Sequence, residues 1–129
     1  MTAYHDPDTP PGAERVLQSL SDDAEVARVA LRKARDAEVD AQHAYKAAKR
    51  RALLSPECPK VRRDECTVAE RDAWAEEQAA GEEIAYEVAK AARQAASDHL
   101  HTLRAQISAQ QSITKSVGDY YRGTGRQPW

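Results

Sequence analysis

The chain has 129 residues, of which 31% are charged and only 5% aromatic with no Phe, so the large side chains of a thick globular core are scarce although the hydrophobic share is 41%. With 19 Lys and Arg against 21 Asp and Glu the formal net charge is −2, which excludes a generally basic, nucleic-acid-coating surface. No segment approaches the ~20 apolar residues needed to cross a bilayer. The run from Met1 lacks a secretory signal and only Cys58 and Cys66 are cysteines, so a cytoplasmic protein with reduced thiols is expected.

Residues 1–12 hold Pro7, Pro10 and Pro11 and read as a flexible Pro-rich arm. Thr9 is placed to cap a first turn opened by Pro10 and Pro11, leading into a short helix over 13–20 on which Val16, Leu17 and Leu20 share a face. Ser21 with Asp22 and Asp23 resembles a second start, because a hydroxyl caps free N–H groups and the acids suit the positive end of the dipole. A break near Ser21 and a long helix over 22–54 are therefore expected. Along that helix Ala27, Ala30, Ala34, Ala37, Ala41, Ala44 and Ala48 step three and four residues at a time. Such a seam of methyl groups permits close helix approach but buries little apolar area per residue.

Ser55 and Pro56 end the helix, and 55–67 form the connection, stiffened by Pro56 and Pro59. Thr67 and Glu70 form a capping box that opens a second long helix over 68–117, interrupted only by Gly81 and stopped at Gly118. Residues 118–129 read as a flexible aromatic and basic tail. A helix of ~50 residues is not stable alone in water, so it must lie on the first one. The fold class expected is all-α, a long antiparallel helical hairpin resembling a coiled coil.

An even register sets residues near 48 against 74, near 30 against 92 and near 18 against 104. Trp74 then covers Ala48 and Ala52, the alanine ladder meets Ile84, Val88, Ala91, Ala92 and Ala95, and Val16, Leu17 and Leu20 meet Leu100, Leu103 and Ile107. The second stripe drifts through Ile84, Val88, Ala92 and Ala96, so an ideal seven-residue repeat is not expected there. Val29, Leu31, Val39, Ile113 and Val117 are left partly uncovered, which self-association into a four-helix bundle would remedy.

The candidate sites are few. Lys49, Arg50, Arg51, Lys60, Arg62 and Arg63 crowd the connection and suggest a phosphate-binding tip, but Glu70, Asp72, Glu76 and Glu77 lie alongside, which favours solvated ion pairs. Cys58 and Cys66 are read as free thiols, since zinc wants four ligands and no His is near. Asp40 with His43 and Asp98 with His101 have carboxylate-x-x-His spacing, but the register holds the pairs far apart and they are read as surface residues. No nucleotide loop or nucleophile elbow occurs, so no enzyme, cofactor, metal or small-molecule substrate is expected. The tail residues Tyr120, Tyr121, Arg122, Arg126 and Trp129 are the expected partner contact. Aromatic and Arg side chains serve protein hot spots, and equally stack on and neutralise single-stranded nucleic acid.

Three stretches carry a family resemblance: Thr67-Val68-Ala69-Glu70-Arg71-Asp72-Ala73-Trp74, Ala89-Lys90-Ala91-Ala92-Arg93-Gln94-Ala95-Ala96 and Gln106-Ile107-Ser108-Ala109-Gln110-Gln111-Ser112. They resemble small, uncharacterised helical-hairpin proteins encoded by actinobacterial phages. The resemblance implies a small accessory factor acting in the host cytoplasm, some such proteins lying among DNA replication and recombination genes. The function expected is a non-catalytic interaction or scaffolding protein, homodimeric and bound to another protein. The alternative is an accessory single-stranded nucleic-acid-binding protein.

Overall fold

The computed structural model describes residues 9–63 and 65–123. Among them every regular element is helical: α1 (Pro10–Leu54), α2 (Val68–Gln78) and α3 (Ala80–Gly123). The connection between α1 and α2 carries an isolated antiparallel bridge between Arg62 and Cys66. The residues form two compact units, one from the chain up to Leu31 and from Ala96 onward, the other from Arg32 to Ala95, and both long helices contribute to each.

The expected start at residue 13 is corrected, because α1 begins at Pro10. Thr9 Oγ1 accepts a hydrogen bond from Gly12 N at 3.3 Å and Thr9 O accepts one from Ala13 N at 2.8 Å, while the two prolines occupy positions that need no N–H partner. Residues 1–8 of the expected arm lie outside the described residues. The expected break near Ser21 does not occur. Serine costs only tenths of a kcal/mol in a helix interior, and Gln18 Nε2 donates to Asp22 Oδ1 at 2.9 Å across that very turn.

At the far end the expected stop at Gly118 is also corrected, since α3 runs on to Gly123. Asp119 and Arg122, three apart on the last turn, form an ion pair there. A Cβ at Gly118 would meet nothing within 4 Å. Gly118→Ala is therefore expected to raise stability by about 0.5–1 kcal/mol, read as a higher urea midpoint with unchanged slope.

In the unit holding both chain ends, Ala27, Leu31, Leu100 and Leu103 form the buried cluster, with Leu20, Ala24 and Ala96 packed against it. Gln110 Nε2 donates to Ala13 O at 3.3 Å, which ties the start of α1 to α3. Leu31, expected to be partly uncovered, is buried, whereas Val16 stays exposed. The core thus sits further along α1 than Val16, Leu17 and Leu20 suggested.

In the 32–95 unit Thr67 caps α2, its Oγ1 accepting from Glu70 N at 3.2 Å. The single helix expected over 68–117 is broken at Ala79, whose N–H reaches Ala75 O at 3.1 Å and whose carbonyl takes Glu83 N at 2.9 Å. Ala48, Ala52, Ala75 and Ala79 are buried here. Lys49 Nζ reaches Glu76 Oε1 at 3.4 Å, the Tyr45 and Tyr86 rings lie 6.2 Å apart, and Arg93 Nε donates to Glu38 Oε2 at 2.6 Å. The even register would have set 45 against 77 and 38 against 84. That register assumed one uninterrupted return helix; with the chain turning at Ala79, α3 takes its own register.

A stripe of buried and half-buried positions runs along each long helix in alternating steps of three and four. On α1 it passes through residues 10, 13, 17, 20, 24, 27 and 31 in one unit and 34, 38, 41, 45, 48 and 52 in the other. On α3 it passes through residues 86, 89 and 93, then 96, 100, 103, 107, 110, 114, 117 and 121. The alanine ladder therefore splits. Ala27, Ala34, Ala41 and Ala48 lie on the seam, while Ala30, Ala37 and Ala44 are exposed beside it. Two phases share the first set of alanines, and the one adopted buries Leu31 and shelters Tyr45, removing more apolar surface from water than Ala30 and Ala44 would. The drifting stripe on the second helix is corrected in the same way: Ile84, Val88 and Ala92 are exposed, as are Ala91 and Ala95, and of that stripe Ala96 lies on the seam.

Candidate interaction surfaces

The partner contact expected at the tail is in part helical. Tyr120, 61% exposed, Tyr121, half-buried, and Arg122 form the last turn of α3, with the tyrosine rings edge to face at 5.6 Å. Arg122 is engaged with Asp119. The structure thus presents one aromatic side chain outward here and turns the second toward the seam side at 121. Arg126 and Trp129 lie outside the described residues.

Near the connection the basic residues are spread between ion pairs and solvent. Lys49 meets Glu76 at 3.4 Å, and Arg62 meets Glu65 at 3.9 Å. Arg50, Arg51, Lys60 and Arg63 are exposed. Exposed pairs of this kind contribute ~0–1 kcal/mol each. Lys60 lines a cavity of about 430 Å³ together with Ser55, Cys58 and Arg71, the last not among the candidate site residues of the sequence. The Arg71 Nε is buried without a hydrogen-bond partner among the described residues.

Cys58 and Cys66 are free thiols. Burial first, and the neighbouring Glu70 carboxylate second, push the Cys66 thiol above its ordinary pKa, which keeps it protonated and a poor nucleophile at neutral pH. Asp40, His43, Asp98 and His101 are exposed, and among the described residues no group of three or more His, Cys, Asp or Glu gathers as a metal site.

Two features escaped sequence reasoning. The first is the polar layer in the seam of the 32–95 unit. There Glu38 and Arg93 are bonded and half-buried, next to the Tyr45 and Tyr86 rings, with Lys49 Nζ 5.6 Å from the Tyr45 centroid and Lys90 Nζ 5.7 Å from that of Tyr86. The signal was the seven-residue spacing Leu31, Glu38, Tyr45, hidden by the more conspicuous alanines. The second is the outer face of α3 in the same unit. Ile84 and Val88 are 65% and 63% exposed, and Ala85, Ala91, Ala92 and Ala95 extend the apolar surface around them. At ~100° per residue this face lies roughly 140° around α3 from the seam residues Tyr86, Ala89 and Arg93.

No helix among the described residues is long and apolar enough to cross a membrane. Comparison of the chain with family models, curated proteins and solved structures returned no match.

Proposed function

We propose that this chain is a non-catalytic interaction protein, an antiparallel coiled-coil hairpin that self-associates into a four-helix assembly and docks a protein partner through the end of α3. The observation that carries this reading is that α3 is apolar on two nearly opposite faces within one unit. One face is occupied by α1, and the other is covered by nothing among the described residues. A surface helix that needs only one packing partner shows one apolar stripe. The seven-residue spacing of both seams supports the coiled-coil geometry, because that period keeps a seam facing its partner when helices wrap left-handedly.

The role as a small phage accessory factor in a host cytoplasm rests on the resemblance of the three stretches on the returning helices. Tyr120, Tyr121 and Arg122, with Arg126 and Trp129 beyond them, are the residues proposed to contact the partner. The second reading, single-stranded nucleic-acid binding, is favoured by one observation: the exposed Tyr120 is a stacking platform for a base, beside an Arg122 that would exchange its Asp119 partner for a phosphate.

The deciding experiment is affinity capture with the whole chain, and with the Tyr120→Ala/Tyr121→Ala variant, beside a titration with a fluorescent single-stranded oligonucleotide. A defined protein captured by the parent and lost by the variant supports the first reading. Salt-dependent oligonucleotide binding lost by the same variant replaces it with the second.

A further inference from the structure

The outer face of α3 between Ile84 and Ala95 has a pattern that specifies its occupant. Its central residues, Ile84, Val88, Ala91 and Ala95, are separated by four, three and four positions, so the spacing reads the same in both directions. Large side chains stand at one end and small ones at the other. Laid antiparallel on a copy of itself, the stripe matches large to small at every position.

We propose that two copies of the chain associate isologously through this face, about a two-fold axis passing between Ala89 and Lys90. Ile84 then seats on Ala95 of the partner subunit and Val88 on Ala91 of the partner subunit, and the reciprocal contacts follow from the symmetry. This rests on the self-association proposed above and names its surface. The flanking Ala85 and Ala92 permit close approach of the two backbones.

Glu87 borders the stripe on the edge away from Ala85 and Ala92, so the two-fold axis brings the Glu87 residues of both copies to one edge, about 7.5 Å apart along the axis at 1.5 Å rise per residue, where their repulsion weakens the dimer. Because the stripe and the α1 seam lie on nearly opposite sides of α3, the two α1 and two α3 segments at this level stand in a row, α1 and α3 against α3 and α1, not in a square bundle. With two large aliphatic side chains and four alanines per copy the face is smaller than the ~800 Å² per partner of a standard interface, which makes the dimer weak and concentration-dependent.

Sedimentation equilibrium of the whole chain from about 10 µM to about 1 mM tests the proposal. The parent is expected to move from the mass of one copy towards that of two. Val88→Asp should weaken association at least ~10-fold while far-UV circular dichroism stays unchanged, since residue 88 is exposed within one copy. Ala91→Lys should weaken it as well, and the double variant Val88→Asp/Ala91→Lys should recover it, because only the antiparallel register places residue 88 against residue 91. Val26→Asp, at a 70% exposed site in the other unit, should change nothing. A parent that stays at the mass of one copy throughout overturns self-association itself. A dimer indifferent to Val88→Asp, or not recovered by the double variant, overturns this surface and leaves self-association standing. A parent of single-copy mass whose captured partner is lost on Val88→Asp assigns the face to a different protein.

Discussion

Leu100→Ala is expected to cost about 2–5 kcal/mol, the largest effect of any single truncation among the described residues. Leu31, Leu100 and Leu103 are the only buried Leu, Ile or Val side chains among the described residues, and they meet in one cluster with Ala27. Of the neighbours that would have to close the cavity, Ala24, Ala27 and Ala96 are methyl groups on helix backbones. These have no flexible atoms to move into the space, which leaves only Leu20, Leu31 and Leu103 to close part of it, so the truncation loses both transfer free energy and packing. Against a typical total stability of ~5–15 kcal/mol, this is enough to populate the unfolded chain at moderate temperature. Urea unfolding followed by circular dichroism measures it. Val26→Ala, at an exposed site, should stay within about 0.5 kcal/mol. A loss below ~1 kcal/mol for Leu100→Ala would mean that this cluster is not what holds the unit together.

Glu38→Ala is expected to destabilise the 32–95 unit by about 1–2 kcal/mol, whereas replacing Glu38 and Arg93 together by Leu should be neutral or stabilising by a similar amount. The sign difference follows from where the pair sits. The 2.6 Å bond is made by side chains that are 21% and 27% exposed, so each charge has given up much of its water and depends on the other. Removing Glu38 leaves a guanidinium in the seam whose remaining bonded neighbour among the described residues is Gln94 Oε1, at 3.0 Å. Removing both converts the layer to an ordinary apolar one. The same substitution should loosen the register, because a lone polar layer penalises every slipped pairing. Cysteine cross-linking between positions 45 and 86, whose rings lie 6.2 Å apart within this unit, and between slipped alternatives reads that loss: one dominant product with Glu38 and Arg93 in place, several in the double variant.

The candidate site was only partly legible. The cap at Thr67, the end of α1 at Leu54 and the helical character of nearly everything else follow from local chemistry, and the structure has them. The break at Ala79 carries no such mark: neither Gly nor Pro stands there, and Gly81, the residue that invites a break, lies inside α3. The helical turn at Tyr120 to Arg122 was hidden by Gly118, which usually ends helices yet costs only ~1 kcal/mol inside one. The exposed face of Ile84 and Val88 was misplaced because those residues were matched to the alanine ladder by register, and the register moved.

By itself the sequence determined the elements and their period: long helices, a capped restart at Thr67, and apolar positions spaced by three and four. Local propensity, capping and periodicity are properties of neighbouring residues, so no tertiary information is needed to read them. The tertiary structure decided the phase. On α1 two seams share Ala27, Ala34, Ala41 and Ala48, and on α3 two stripes compete through Tyr86 and Ile84. Each choice is settled by which pairing buries the larger side chains together, Leu31 with Leu100 and Leu103, and Tyr45 with Tyr86. Apolar burial is a sum over both helices at once, which no single helix carries in its own pattern.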